Sequence, residues 1–392
     1  MKEYIRYIGC DDATLDLFES QYELPEGMCY NSYIVESRKT AALKEESGKA
    51  AVIDSVDARK TDDWLANVKQ ALGNRKPDYL VLQHAEPDHS GSVNAFLGLY
   101  PETTVVCSAK AATLLAQFGI SPKHVQLVKE GDVLDLGNIT LRFIMAPMVH
   151  WPEVMMSYCA EAATLFSADA FGKFGVYHAD EDDWACEARR YYFNIVGKYG
   201  NPVSLVLKKL AALDIQAVCP LHGPVLEGEK LAEAVKLYGI WSKYEVETKG
   251  VLVAHASIHG NTAKAAEELA EMLRQRGAGK VAVTDLCRDD MAEAIEDAFR
   301  MDRLVVCASS YDNNVFPPMH LFLWKLQQKA YQNRTVGIVE NGSWAPSAGR
   351  EMKALLETMK DVRIVEPMVT IRGSLNEESR QNLEQLAEAL TA

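Results

Sequence analysis

Residues 79–92, YLVLQHAEPDHSGS, decide how the first half of the chain folds. YLVLQ, ending at Gln83, is a nearly continuous apolar run, the pattern of a short strand buried on both faces. It runs directly into HAEPDHSGS, a polar, Pro-containing loop, and an apolar helix pattern follows Ser90. His84, Glu86, Asp88 and His89 therefore place two imidazoles and two carboxylates within six residues at the end of a buried strand. Polar groups at such density need a metal or an unusual polar network to offset their desolvation. A loop, unlike a helix, can turn alternate side chains towards two neighbouring ions, so further ligands are expected from other strand ends. His150 (APMVHWPE), Asp169 (FSADAFG) and His222 (CPLHGP) each follow an apolar strand and are the candidates. Plainer interpretations exist for each one alone: HAEPDH as a solvated loop, Asp169 as a turn cap before Phe171-Gly172, His150 or His222 as a hydrogen-bonded core histidine. Their order and their common position at strand ends favour the metal reading.

Outward from this motif, NSYIVE and AVIDSV read as adjacent strands and Thr61–Leu72 as a helix. More strands are expected near 103–107, 124–128, 139–146, 155–160 and 163–168, and helices over 182–198, 203–212 and 231–244. From Gly250 the pattern becomes a regular alternation. The strands GVLVAHAS, VAVTDL, RLVVCAS, RTVGIVEN and RIVEPMVTI are each followed by an amphipathic helix, the last being NEESRQNLEQLAEAL. Five β-α units in about 140 residues suffice for a doubly wound parallel sheet. The expected domains are 1–249 and 250–392.

Composition narrows the function classes. A length of 392 residues with 48% hydrophobic and 24% charged residues fits two well-packed domains and excludes a disordered or fibrous chain. A formal charge of −14 disfavours nucleic acid and anionic membrane surfaces as partners. The N-terminus has no secretory signal pattern and no run is apolar enough for a transmembrane helix, so a cytoplasmic protein is expected. The eight cysteines include no CxxC pair, which leaves zinc ribbons, rubredoxin-type iron sites and thioredoxin-like chemistry without their signatures.

HxExDH followed by single His, Asp and His at strand ends resembles the metallo-β-lactamase superfamily, and more closely the flavodiiron proteins. Zinc hydrolases of that superfamily usually carry HxHxDH; Glu86 here hardens the ligand set and favours iron. The resemblance implies one iron on His84, Glu86 and His150, another on Asp88, His89 and His222, and Asp169 bridging. Two ferrous ions, these three carboxylates and one bridging hydroxide would be neutral, with open positions left for a diatomic ligand. His124, His178, His255, His259 and His320 are not assigned to the metal. His178 lies near Phe171, Phe174 and Tyr177 in a stretch that could roof the pocket, and it receives no role.

In the second domain, Ser257-Ile258-His259-Gly260-Asn261-Thr262 joins the first strand to the first helix. Hydroxyls, an amide and a glycine at a helix N-terminus form a neutral phosphate cradle, without the lysine of a Walker A loop. The loop resembles the FMN phosphate loop of flavodoxins. Two further strand-end loops, Ser309-Ser310-Tyr311-Asp312-Asn313-Asn314 and Asn341-Gly342-Ser343-Trp344, gather at the same sheet edge. In flavodoxin-like domains such loops flank the isoalloxazine ring, with Trp344 as the natural stacking residue.

The flavodiiron resemblance covers essentially the whole chain. It implies an α/β protein, a metallo-β-lactamase-like αββα sandwich followed by a flavodoxin-like sheet. It further implies FMN, two non-haem iron ions, and reduction of O2 to water, NO to N2O, or both. The expected donor is rubredoxin or a similar small redox protein, and the expected assembly a head-to-tail homodimer or homotetramer. Two rivals stay open: a zinc-dependent hydrolase fused to a flavodoxin domain, and a flavin shuttle or sensor with an inert metal site.

Overall fold

Tyr79–Val81 lies inside a six-stranded sheet ordered Ile5–Tyr7, Tyr33–Glu36, Ala50–Ile53, Tyr79–Val81, Thr104–Ser108, Val125–Val128. Both neighbours run parallel to it, with Leu80 opposite Val52 on one side and Val105 on the other. This is a computed structural model of the chain, and it describes residues 2–37, 48–179 and 183–392. A second six-stranded sheet is ordered Val133–Asp135, Thr140–Met145, Met155–Cys159, Thr164–Phe166, Ala217–Cys219, Leu226–Glu227. One shared core joins the two sheets: Val35, Ile53, Val81 and Val106 from the first sheet with Leu141, Phe143, Met155 and Phe166 from the second. The alternate residues Ile34, Val52, Leu80 and Val105 are also fully buried, as strands covered on both faces require. The helix Thr61–Leu72 buries Trp64, Val68 and Leu72, and the Trp64 ring lies 5.4 Å from Phe96 of the helix Val93–Leu99.

Two compact units divide the chain. One comprises the residues up to Tyr192 together with Asn201–Gly239; the other comprises Phe193–Gly200 and Ile240–Ala392. In the second, a parallel sheet is ordered Lys280–Asp285, Thr248–Ala256, Met301–Tyr311, Thr335–Asn341, then Arg363–Ile364 and Val369–Ile371 beside the last. Counted along the chain this is the order 2-1-3-4-5 of flavodoxin-like sheets, whose switch point lies between the first and third strands. Val251, Val253, Val305 and Val339 pack against Leu269 and Leu273 of the helix Asn261–Gln275 and Leu386 and Leu390 of Glu377–Thr391.

Three sequence expectations are corrected. HAEPDHS is not all loop: Pro87–Ser90 is one helical turn. Glu86 is its extended N-cap and Pro87 its first residue, where a missing N–H and a fixed φ are tolerated. The helix expected over 182–198 is broken: Trp184–Tyr191 is α, Tyr192–Val196 is π and Gly197–Tyr199 is 3-10, while residue 182 lies outside the described residues. RIVEPMVTI forms two short strands because Pro367, between them, cannot donate to a ladder. Among the described residues no helix is long and apolar enough to cross a membrane.

Candidate metal centre and flavin cleft

The loops at one edge of the first unit's sheets bring seven side chains together in two groups. His84, Glu86, His150 and Asp169 form one, and Asp88, His89 and His222 the other, with the potential ligand atoms of each group within 4.8 Å of one another. Glu86 Oε2 lies 3.1 Å from both His84 Nε2 and His150 Nε2. Asp88 Oδ2 lies 3.2 Å from His89 Nε2 and 3.3 Å from His222 Nε2. Asp169 stands between the groups with its oxygens divided. Oδ2 lies 3.1 Å from His150 Nε2 and 3.5 Å from His84 Nε2, while Oδ1 lies 3.1 Å from His89 Nε2 and 3.9 Å from His222 Nε2.

Local structure fixes these positions. Asp54, at φ 55, accepts from the backbone N of Gln83 at 2.7 Å, so the chain turns sharply just before His84. Ala168 (φ 51) and Phe171 (φ 67) bracket Asp169 in left-handed backbone, a strained conformation for non-glycine residues that is common at functional sites. The His222 loop hangs from Asn31, whose Nδ2 donates to the carbonyls of Pro220 at 2.8 Å and Gly223 at 2.7 Å. Gly223 is required there: its φ is 80, and a Cβ would meet Lys173 Cγ at 2.7 Å.

All four imidazoles turn Nε2 inward. The outer nitrogen of His222 donates to the Cys29 carbonyl at 2.7 Å, which leaves its Nε2 without a hydrogen when the ring is neutral. His84 Nδ1 pairs with Glu153 Oε1 at 2.8 Å. The inner nitrogens of His89 and His222 are only 3.1 Å apart. Asp88 Oδ1 is buried with no hydrogen-bond partner among the described residues, while Asp88 Oδ2 and Asp169 Oδ1 face the imidazole nitrogens. Converging lone pairs, buried and unsatisfied, are what a cation-binding site presents before its cation is counted. Three carboxylates with four imidazoles suit a pair of fairly hard divalent ions, so the residues fit two irons.

The protonation of these groups follows the same logic. Burial opposes charge on His89, but Asp88 and Asp169 outweigh it and hold the ring up at about 10. Burial likewise opposes charge on His150, and bonds to Asp169 and Glu86 raise it to about 9. Burial works against Asp169 as well, yet His89 and His84 keep its carboxyl far below the usual range. In the metal-free protein, protons on His84, His89 and His150 balance carboxylates that metal ions would otherwise neutralise.

Apolar rings close the surroundings. Phe18 and Tyr191 lie 5.7 Å from the His222 ring and Trp151 5.3 Å from His84. Tyr191 is fully buried, and its hydroxyl has no hydrogen-bond partner among the described residues. Burial, and then the charges of Asp169, Asp88 and Glu86, push its acidity far out of range, so it keeps its proton. Tyr191, Glu153 and Asp54 were not singled out from sequence. Glu153 had a signal, three residues after His150 in HWPE; Tyr191 had none beyond an amphipathic helix. His178 is exposed, packs edge-on against Tyr177 at 4.9 Å, and belongs to neither ligand group.

In the second unit a cavity of about 490 Å³ opens at the carboxyl edge of the sheet. His259, Asn261, Thr262, Ser310, Tyr311, Asp312, Asn313, Asn341, Gly342, Ser343 and Trp344 line it, together with Ile258, Ser309, Ala345, Ser347 and Gly373. Ser257 and Gly260 shape the loop from behind: Gly260, at φ 84, is the N-cap of the first helix and donates to Ser257 Oγ at 3.1 Å. Asn314 lines an adjacent cavity instead and accepts from the N–H of Val315 at 2.7 Å. The three loops are tied together. Thr262 and Ser309 hydroxyls are 2.9 Å apart, and Ser310 Oγ accepts from Ser347 N at 2.8 Å and Ala348 N at 3.1 Å. Gly342 permits this closeness, since a Cβ there would meet Pro346 Cα at 2.8 Å. Trp344 is 90% exposed at the rim, so its ring is free to cover a planar ligand.

Comparison with known proteins finds similarity in sequence and in fold. The family described as ODP family beta lactamase matches residues 35–223. An anaerobic nitric oxide reductase flavorubredoxin of Pectobacterium carotovorum is 28% identical over 356 residues, covering 88% of this chain and 68% of the relative. An uncharacterized protein of Methanocaldococcus jannaschii is 24% identical over 384 residues, covering 96% and 94%. Among solved structures, a flavoprotein of Thermotoga maritima superposes with a TM-score of 0.87 at 26% identity, covering 98% of this chain and 95% of that one. The rubredoxin oxygen:oxidoreductase of Desulfovibrio gigas has the same fold, with a TM-score of 0.91 at 23% identity and coverage of 100% and 97%.

Proposed function

We propose that this chain is a flavodiiron protein, and from that premise follow the roles of its two sites. It is a reductase that passes electrons from a reduced redox protein through FMN to a non-haem di-iron site, where O2 is reduced to water, NO to N2O, or both. Residues 1–249 carry the metal chemistry and 250–392 the flavin. His84, Glu86 and His150 would hold one iron, Asp88, His89 and His222 the other, and Asp169 would serve both. The observation that carries this reading is the division of Asp169, with Oδ2 facing one group and Oδ1 the other.

When bound, the two irons supply single electrons and open coordination positions for a diatomic molecule, and FMN accepts and returns electrons singly or in pairs. The chain's own residues prepare the surroundings. Inward Nε2 atoms and carboxylates form a preorganised, largely buried donor set. Phe18, Tyr191 and Trp151 restrict water around it. Tyr191 keeps its phenolic proton and has no other partner among the described residues, so it can donate a hydrogen bond into the pocket. At the second site the loop Ser257–Thr262, at a helix N-terminus, would hold the FMN phosphate. Trp344, the loop Ser310–Asn314 and Asn341, Gly342 and Ser343 would hold the isoalloxazine, with Trp344 supplying a stacking surface. Glu86 at the second motif position counts against the zinc-hydrolase alternative, because it replaces the imidazole that zinc favours.

The finer assignments extend the same reading. Rubredoxin or a similar small protein is the donor, the assembly is a head-to-tail homodimer or homotetramer, and the protein works in the cytoplasm. The test is iron, zinc and flavin content of protein purified without oxygen, followed by O2 and NO consumption with reduced rubredoxin as donor. About two irons and one FMN per chain, with turnover of either gas, is the expected result. Zinc in place of iron from iron-replete cells, with no gas consumed, would overturn it.

A further inference from the structure

Glu153 is 2% exposed, yet it is a carboxylate in a core where an unpaired charge is strongly disfavoured. One of its oxygens has a defined task. Oε1 pairs with His84 Nδ1 at 2.8 Å and accepts from the backbone N of Ala85 at 3.0 Å. Oε2 is buried without a partner among the described residues. The residue is anchored at both ends of its neighbourhood: Ser108 Oγ donates to its carbonyl at 2.9 Å, and Met155 N donates to the Gln83 carbonyl at 3.0 Å. The segment His150–Glu153 thus sends one side chain into the first ligand group and a second behind another member of it.

The opposite group is braced differently. Behind His222 stands a neutral acceptor, the Cys29 carbonyl, at 2.7 Å. A carboxylate draws the Nδ1 proton more strongly than a carbonyl does, makes the inner nitrogen a stronger donor, and adds a negative charge one ring away.

We infer that Glu153 is a positioning residue that locks His84 with Nε2 turned inward and makes the His84 side of the centre the more electron-rich of the two. The inference rests on the di-iron reading given above. It assigns the two metal positions different preferences for the ferric state, set by a residue that touches neither metal nor substrate. His84 is held in the Nδ1–H tautomer, and the charge of Glu153 favours the higher oxidation state on its side.

The test compares wild type with Glu153→Gln and Glu153→Ala by anaerobic ferrous titration of the metal-free protein and by spectroscopically monitored redox titration of the iron. Glu153→Ala is expected to lose about 10–100-fold in affinity for one of the two irons, as the loss of such a brace usually does. Glu153→Gln keeps size and an acceptor oxygen but not the charge. It is expected to retain both irons with a midpoint potential shifted upward, each tenfold loss of ferric preference reading as about 59 mV. A purely structural role would leave the Gln variant's potentials where wild type has them, and that result overturns the inference. Should Glu153→Ala fail to fold, as judged by circular dichroism, the Gln variant alone decides. Failure of wild type to take up iron would instead sink the di-iron reading, a separate outcome.

Discussion

The metal centre and the flavin cleft are built on opposite plans. The metal centre joins residues far apart in the chain: His89 and His222, 133 positions distant, bring their ring nitrogens to 3.1 Å. Its donors are almost all buried, and they come from strand ends in two different sheets. The flavin cleft is made by loops at one edge of one parallel sheet, lined by hydroxyls and amides, with an exposed tryptophan at the rim. Charge with burial demands a rigid frame, whereas a neutral cradle of backbone N–H groups can stay open and local.

If that contrast is right, damage at one site should spare the other. The largest effect is expected from Asp169→Ala, which removes the carboxylate shared by both groups. Iron analysis should show loss of most of both irons and gas consumption should fall at least about 100-fold, beyond what losing an outer brace costs. Extracted FMN should stay near wild type; its disappearance would break the separation.

Acidity gives the next handle. In the metal-free protein His89 is held at about 10 and His150 at about 9, both above the unfolded value of about 6.5. Metal uptake must therefore expel protons, and apparent iron affinity should rise by up to about tenfold per pH unit for each proton released. The metal-free fold should behave oppositely. Stabilisation from these raised histidines is fully present below about pH 6.5 and is lost as pH rises through 9 to 10. Metal titrations and denaturant melts from pH 6 to 10 check both slopes; FMN affinity should stay flat from pH 7 to 9.

Two changes in the second unit complete the series. Gly342→Ala places a Cβ against Pro346 Cα and should weaken FMN binding by about 1–3 kcal/mol, the usual size of an overpacking penalty, with iron content unchanged. Trp344→Ala removes an exposed stacking surface and should weaken FMN by about 0.5–1.5 kcal/mol, roughly two- to twelve-fold, by fluorescence titration.

How much of this was legible beforehand differed between the halves. The alternating strands and helices after Gly250 announce themselves through apolar runs and caps, and Asn376 with Ser379 forms the capping box that starts the last helix. In the first half, dense motifs such as HAEPDH and strand-end residues such as Asp169 could be read because polar groups stood where apolar ones were expected. Asp54 and Tyr191 could not, and Glu153 offered only its place in HWPE, because their meaning lies in what they face across the fold. The short strands Cys10–Asp12 and Met28–Tyr30, one of which supplies the carbonyl behind His222, carry too few residues to show a period. Pro87 marked a break in the sequence, but only the structure shows that it starts a helical turn.

The acceptor behind His222 belongs to the main chain, and that has a hereditary consequence. Every amino acid carries the same carbonyl, so no codon change at position 29 can delete that hydrogen bond, and mutation can disturb it only by moving the strand. The acceptor behind His84 is a side chain that a single nucleotide change can erase. Within a lineage, one half of the centre is therefore sheltered from point mutation at its brace, while the other half is where random variation can retune the chemistry.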